Sequence, residues 1–261
     1  MRLEWRTALV GIDAFVARSQ REVRRAFGRH VAVRLMPYRG WIAPHKAVVI
    51  ARTIDADLEW DRRLQHSARL ARVLYERFAT VIRSGVCVRV NWQGLTTLQT
   101  SDDAGFIDVQ FPVEGRNFEQ TTAAGLAVAD TSAAALPLPD TVAGPASADV
   151  LAFDPNAPFG IISDIDDTVL ETELTNLWKR GLQLVYSEQR MRLPFDGIAA
   201  LYQAFAAHQK PVFYVSNAPW NLYPHVAELL DHHQIPKGPL LLRDSAFSER
   251  ITPHPELGRI V

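Results

Sequence analysis

Residues 159–172 read FGIISDIDDTVLET: an apolar run that stops abruptly at Asp164, with Asp166, Asp167 and Thr168 directly behind it. Few backbones accept this. Burying apolar groups beside clustered like charges is costly. A strand of a parallel sheet resolves the conflict, because its middle is covered on both faces while its carboxyl end opens to solvent.

The sequence that follows has the texture such a sheet needs. A helical stretch over 171–189 precedes FDGIAALYQAFAAHQ, whose apolar spacing predicts an amphipathic helix. PVFYVS then reads as a strand, NLYPHVAELLDHHQ as a helix, and GPLLL as a short strand ending at Arg243 and Asp244. Strands alternating with helices imply crossover connections and a parallel sheet. Ligands of such sheets bind beyond the carboxyl ends of the strands, and Asp164 and Ser216 stand at two of those ends.

Upstream the texture differs. Residues 1–30 predict an amphipathic helix, with seven arginines against three acids over residues 2–29. Its basic face is either solvated, with the apolar face packed on the protein, or laid on an anionic bilayer. VAVRL, KAVVIARTI, VCVRVNW, LTTLQTS and FIDVQFPV read as strands parted by turn signals such as DDAG, with a helix inserted over 57–83. Residues 119–150, rich in Ala, Thr, Pro and Ser, read as weak strands or a covering loop that leads into an extended linker, DPNAP. The expected organisation is an N-terminal helix (1–30), a β-rich domain with an inserted helix (31–155) and an α/β domain (156–261).

Composition narrows the function. A net charge of −1 argues against wholesale binding of nucleic acid. The single cysteine, Cys87, excludes an internal disulfide and reads as a buried structural thiol. No run of about 18 apolar residues suggests a spanning helix, and the N-terminus lacks a clean cleavage site, so a cytoplasmic protein is expected, with peripheral membrane contact through the basic helix as a further option.

The acids can do chemistry. Three so close repel one another unless a cation or shared protons relieve them. Mg²⁺ does so with oxygen ligands; Asp164 and Asp166 are the candidate ligands. A carboxylate beside Mg²⁺ can attack phosphorus, and a second can protonate the leaving alkoxide and then activate water. The blander role is a helix N-cap cluster. In 212-VFYVSNAPWNLYP-224 the hydroxyl of Ser216 can bond a phosphoryl oxygen, or Ser216 or Asn217 can cap the next helix.

The DIDDT segment, Asp164 to Thr168, resembles the first motif of the haloacid dehalogenase-like hydrolases. SDIDDTVLET, FYVSNAPWNLYP and GPLLLRD together resemble the phosphatidate phosphatase family typified by the fungal actin-patch-associated enzyme. MPYRGWIAP, KAVVIARTI and DDAGFIDVQFP are similar to that family's all-β region. The resemblance implies a haloacid dehalogenase-like parallel-sheet domain behind a β-rich one, and Mg²⁺-dependent hydrolysis of phosphatidate to diacylglycerol and phosphate through an aspartyl phosphate. By position Asp164 is the nucleophile and a metal ligand, and Asp166 the general acid/base, binding metal through its carbonyl. Thr168 belongs to the same motif. Ser216 holds the phosphoryl group, with Asn217 and Arg243 further substrate-binding candidates. The family pattern also calls for a later Lys or Arg and another acid-ended strand. This chain has ITPHPELGRIV there, so a catalytic domain incomplete at its C-terminus is expected, with Lys237, Arg243 or Arg259 as substitute cations and Asp244 as a substitute acid. The competing readings are an impaired relative that binds a phosphorylated ligand or a lipid surface, and an interaction module using the β-rich domain. No reading of oligomeric state emerges.

Overall fold

The computed structural model describes residues 31–57, 81–113, 120–129, 144–154, 156–165, 169, 197–208 and 210–243. The helices expected over 3–30 and 171–189 lie outside them. So does the helix expected over 57–83, except at its ends, where Asp57 closes one strand and Val81–Ile82 form another.

Among the described residues the chain is α/β: a large, mainly antiparallel sheet precedes a small parallel one. The first holds nine strands, β1 (Val31–Pro37), β2 (Gly40–Ile42), β3 (Lys46–Asp57), β4 (Val81–Ile82), β5 (Cys87–Trp92), β6 (Leu95–Thr100), β7 (Phe106–Pro112), β8 (Thr122–Val128) and β9 (Ala146–Leu151). Strand β3 is its hub, pairing β1 over Ala51–Asp57 and β7 over Lys46–Arg52. Through β2 it connects to β9, β8, β5 and β6. Residues of β1, β3 and β7 share one core with residues of β5, β8 and β9.

One sequence expectation changes here. The turn-rich MPYRGWIAPH, residues 36–45, reads as a loop between two strands but contains the strand β2, which runs parallel to β9 and antiparallel to β3. Of the two readings of residues 119–150, weak strands or a covering loop, the described residues show strands, β8 and β9, both interior to the sheet. Their buried positions alternate, Ala124 and Leu126 on one, Ala148 and Val150 on the other. Cys87 is half-buried and unpaired to another cysteine.

The parallel sheet has the order β10 (Ile161–Asp164), β11 (Val212–Pro219), β12 (Leu240–Arg243). Two helices belong to it, α1 (Ile198–Ala207) and α2 (Tyr223–His232), the latter entered through a 3₁₀ turn at Trp220–Leu222. Leu240, Leu241 and Leu242 are each 1% exposed, as an apolar strand covered on both faces requires. Strand β10 departs from that rule. Ser163 is buried, whereas Ile162 is 50% exposed, so the strand is not covered on both faces along its length.

Gly238 sets the approach of the chain to β12. A Cβ there would meet the Val212 carbonyl oxygen at 2.1 Å and the Tyr214 ring at 2.8 Å. The chain is pinned on either side of it, since Tyr214 donates its N–H to Pro239 O and its hydroxyl to Pro236 O. Gly238→Ala should therefore cost about 1–3 kcal/mol through overpacking against backbone that cannot yield. A lowered urea midpoint at unchanged slope would show it; an unchanged midpoint would mean that the loop relocates freely.

The two sheets share a second core. Tyr38, Trp41, Val48 and Ile50 of the first cluster with Phe213, Trp220, Tyr223 and the leucines of β12. Trp41 meets Phe213 edge-on at 5.5 Å, and Phe153, in the connection between the sheets, lies 5.9 Å from the same ring. Two ion pairs cross the same boundary, Arg39 with Asp231 at 2.7 Å and Lys237 with Asp149 at 3.1 Å. The second is exposed at both ends and contributes little; the aromatic packing carries the contact.

Candidate active site

Strand pairing brings the two expected motifs together. Strands β10 and β11 are parallel neighbours, with Ile161 opposite Val212 and Asp164 opposite Val215. Asp164 ends β10, and Ser216 lies one register position beyond it on β11. The expectation that this strand ends at Ser216 is corrected, since β11 continues through a register shift to Pro219. Arg243 ends the third strand, opposite Pro219. Asp166 and Thr168 lie outside the described residues, as do the side chains of Asn217 and Arg243.

Asp164 is exposed. Its Oδ1 accepts the N–H of Ile165 at 2.8 Å, which fixes the carboxylate against its own strand end. Beneath it the Ser163 hydroxyl donates to Asp164 O and shares a short hydrogen bond with the Tyr202 hydroxyl on α1. Ile165 donates its N–H to Val215 O, extending the β10–β11 ladder one residue, and Val169 donates back to Ile165 O. Both Ile165 and Val169 are buried.

Ser216 is 5% exposed, and its Oγ accepts the Ala218 N–H at 3.0 Å. This is a local turn two residues long, not a helix cap. Helix α2 begins after Leu222 with no side-chain cap at all. Ser216 is therefore not the side-chain cap of α2.

Of the substitute cations, Lys237 sits before β12, at the amino end of its strand, and is paired with Asp149. That is the end of the strand remote from Asp164. Asp244 and Arg259 lie outside the described residues. Among the described residues no three His, Cys, Asp or Glu side chains cluster as metal ligands, and no helix is long and apolar enough to cross a membrane.

What sequence reading missed is the support of this strand end. Trp220 was legible only as part of a turn; it is 3% exposed and packs on Tyr38, with ring centroids 4.6 Å apart. Tyr223 starts α2 and stacks on Trp220, and its hydroxyl accepts the Arg39 N–H at 2.7 Å. No local pattern marks a contact between residues 184 positions apart.

Burial pushes the Tyr223 phenol up to about 12, against the smaller opposing pull of the Arg39 N–H. Burial likewise raises Tyr214 well above the ordinary phenol range, helped by the neighbouring Tyr202. Unfolding lets both ionise near pH 10, so the unfolded chain binds fewer protons than the folded one above that pH and stability falls. Stability contributed by Tyr223 is complete below about pH 10 and is lost as the pH rises toward 12, on the order of 2 kcal/mol. Urea midpoints at pH 9 and pH 11.5 measure the loss, and Tyr223→Phe should shrink the difference. An equal fall in both proteins would assign it to other groups.

Residues 159–254 match the family model described as phosphatidate phosphatase APP1, catalytic domain. The matched segment contains Asp164, Asp166, Thr168, Ser216, Asn217 and Arg243, and over it the resemblance read from the motifs is borne out. No curated protein matches the chain.

Proposed function

We propose that the chain hydrolyses phosphatidate to diacylglycerol and phosphate, at a haloacid dehalogenase-like catalytic centre, through an aspartyl phosphate formed on Asp164. The observation that carries the reading is the exposed Asp164 carboxylate at the end of β10, one register position from Ser216 of β11, within the segment that matches the phosphatidate phosphatase model.

In the first half-reaction an oxygen of Asp164 attacks phosphorus and the bond from phosphorus to the glyceryl oxygen breaks. The Ile165 N–H on Oδ1 restrains the carboxylate, and Asp164 is exposed, so an oxygen can reach phosphorus. Asp166 gives its proton to the departing alkoxide, releasing diacylglycerol. In the second half-reaction Asp166 takes a proton from water, the water oxygen bonds to phosphorus, and Asp164 is released as a carboxylate with inorganic phosphate. Ser216 donates its hydroxyl to a phosphoryl oxygen, with Asn217 and Arg243 as further candidates for the phosphate.

The donors proposed for a metal, the Asp164 carboxylate and the Asp166 carbonyl, are all oxygen, and Asp164 is open to solvent, a set that fits a hard cation such as Mg²⁺. When bound, Mg²⁺ supplies positive charge that offsets the phosphoryl oxygens. The substrate lies in a bilayer, so the enzyme works peripherally at a membrane surface, on the cytoplasmic side. The arginines of residues 2–29 are suited to anionic headgroups.

Phosphate release from vesicles containing phosphatidate, with and without Mg²⁺, tests the reading. Release that needs Mg²⁺ and is absent with phosphatidylcholine alone is the expected result. Vesicle binding without release would leave only a phosphate-binding role, and release from soluble phosphate esters alone would remove the lipid assignment.

A further inference from the structure

Strand β10 buries a hydroxyl and exposes an isoleucine. Ser163 is 4% exposed, whereas Ile162 beside it is 50% exposed. A buried hydroxyl forgoes hydrophobic stabilisation and is costly unless it is hydrogen-bonded. Ser163 stands immediately before Asp164, so its bonds bear on the backbone of the residue proposed as nucleophile.

Those bonds form a directed chain. Ser163 Oγ donates to Asp164 O at 2.9 Å and lies 2.5 Å from the Tyr202 hydroxyl. A carbonyl oxygen only accepts, so the single Ser163 proton goes to Asp164 O and the Tyr202 proton goes to Ser163 Oγ. Tyr202 is buried on α1, and its ring meets the Tyr214 ring edge-on at 5.9 Å. Tyr214 is itself fully buried and tied through its hydroxyl to Pro236 O. The first donor of the chain is therefore anchored in the core.

The last acceptor belongs to the peptide unit that joins Asp164 to Ile165. The other end of that unit, the Ile165 N–H, is shared between Val215 O at 3.1 Å and Asp164 Oδ1 at 2.8 Å. A peptide unit is a rigid plane. This one is held at its N–H by β11 and at its C=O by Ser163, and the Asp164 carboxylate is bonded to it. Rotation of the plane would carry the N–H away from Oδ1.

We infer that Ser163 and Tyr202 are positioning residues for Asp164: the hydroxyl relay from Tyr202 through Ser163 to Asp164 O fixes the peptide plane whose N–H restrains the attacking carboxylate. The inference rests on the phosphatase reading for its kinetic consequence, but not for its structural one. A carboxylate released from that restraint samples other rotamers, and a misplacement of about 1 Å at a reacting centre can cost on the order of 10²-fold in rate.

The test uses the full chain as Ser163→Ala, Tyr202→Phe and the double variant. Release of phosphate from phosphatidate vesicles is measured beside inhibition by inorganic phosphate, and amide exchange over 161–165 is followed by mass spectrometry. Ser163→Ala should lower kcat by about 10–10²-fold. KM and inhibition by phosphate should hold, because Ser216, proposed to bind the phosphoryl group, is not substituted. Exchange over 161–165 should quicken. Tyr202→Phe keeps the buried ring and should give smaller changes in the same direction. The double variant should be no slower than Ser163→Ala, since Tyr202 acts through Ser163. Losses that multiply in the double variant overturn the relay. Unchanged kcat in variants that fold, or KM and phosphate inhibition that shift in step with kcat, overturn the positioning role. Should Ser163→Ala fail to fold, Tyr202→Phe decides by the same readouts. If the unsubstituted chain releases no phosphate, the phosphatase reading fails, and unchanged exchange over 161–165 in the variants then overturns the structural claim by itself.

Discussion

Asp164→Asn is expected to abolish phosphate release and any phosphoenzyme trapped by acid quench. The amide is a far poorer nucleophile than the carboxylate and brings no charge to a cation. The substitution is nearly isosteric, and Asp164 is exposed, so the fold should survive. The Asn side-chain oxygen can still accept the Ile165 N–H that Oδ1 accepts in the parent chain. Asp166→Asn should behave differently. Losing a general acid slows the leaving-group step by about 10²–10⁴-fold while leaving phosphate binding in place. Quench-flow on labelled phosphatidate separates the two, since only Asp166→Asn leaves a nucleophile able to form a slow covalent species. Full turnover by Asp164→Asn would remove the residue from the role assigned to it, and with it the aspartyl-phosphate route.

Trp41→Ala should be the most damaging substitution away from the chemistry. Trp41 is 2% exposed, edge-on to Phe213, and sits in β2, whose neighbours are β3 and β9. Removing a buried tryptophan costs about 3–5 kcal/mol through lost transfer energy and the cavity left behind. Because Trp41 belongs to the core shared by both sheets, the loss should lower the stability of β11 and β3 together. Amide exchange should then rise in both strands, and denaturation should remain a single transition at a lower urea midpoint. If β3 loses protection while β11 keeps it, the sheets unfold independently, and the shared core contributes little coupling.

The chemistry-bearing half was largely legible in advance, for local reasons. An apolar run ending in acids has few placements, and Asp164 is indeed the last residue of β10. The run Val212–Val215 ends before Ser216, and the apolar period of the following residues marks α2. Adjacency of the two strands follows the tendency of successive strands in α/β units to lie side by side, and the register shows it. The roles of Asp166, Thr168, Asn217 and Arg243 rest on position in a motif, since their side chains lie outside the described residues. The burial of Ser216 was not legible, because a hydroxyl after an apolar run reads alike whether it points outward or folds back on its own turn.

Strand β3 shows where local sequence stops deciding. The run KAVVIARTI announces a strand buried on both faces, because its apolar residues are consecutive rather than alternating. Ala47, Val49 and Ala51 do face the core of the nine-stranded sheet, and Val48 and Ile50 face the core shared with the parallel sheet. The sequence alone determined that both faces must be covered, since exposed valine and isoleucine on either would forgo hydrophobic stabilisation. It did not determine the cover on the second face, which comes from Trp220, Tyr223 and the leucines of β12, about 170 to 190 residues further along the chain. That pairing depends on the shapes of two assembled surfaces meeting, and only the tertiary structure decides it. The same meeting places Tyr38 against Trp220 and Arg52 against Asn221, contacts that no local pattern announces.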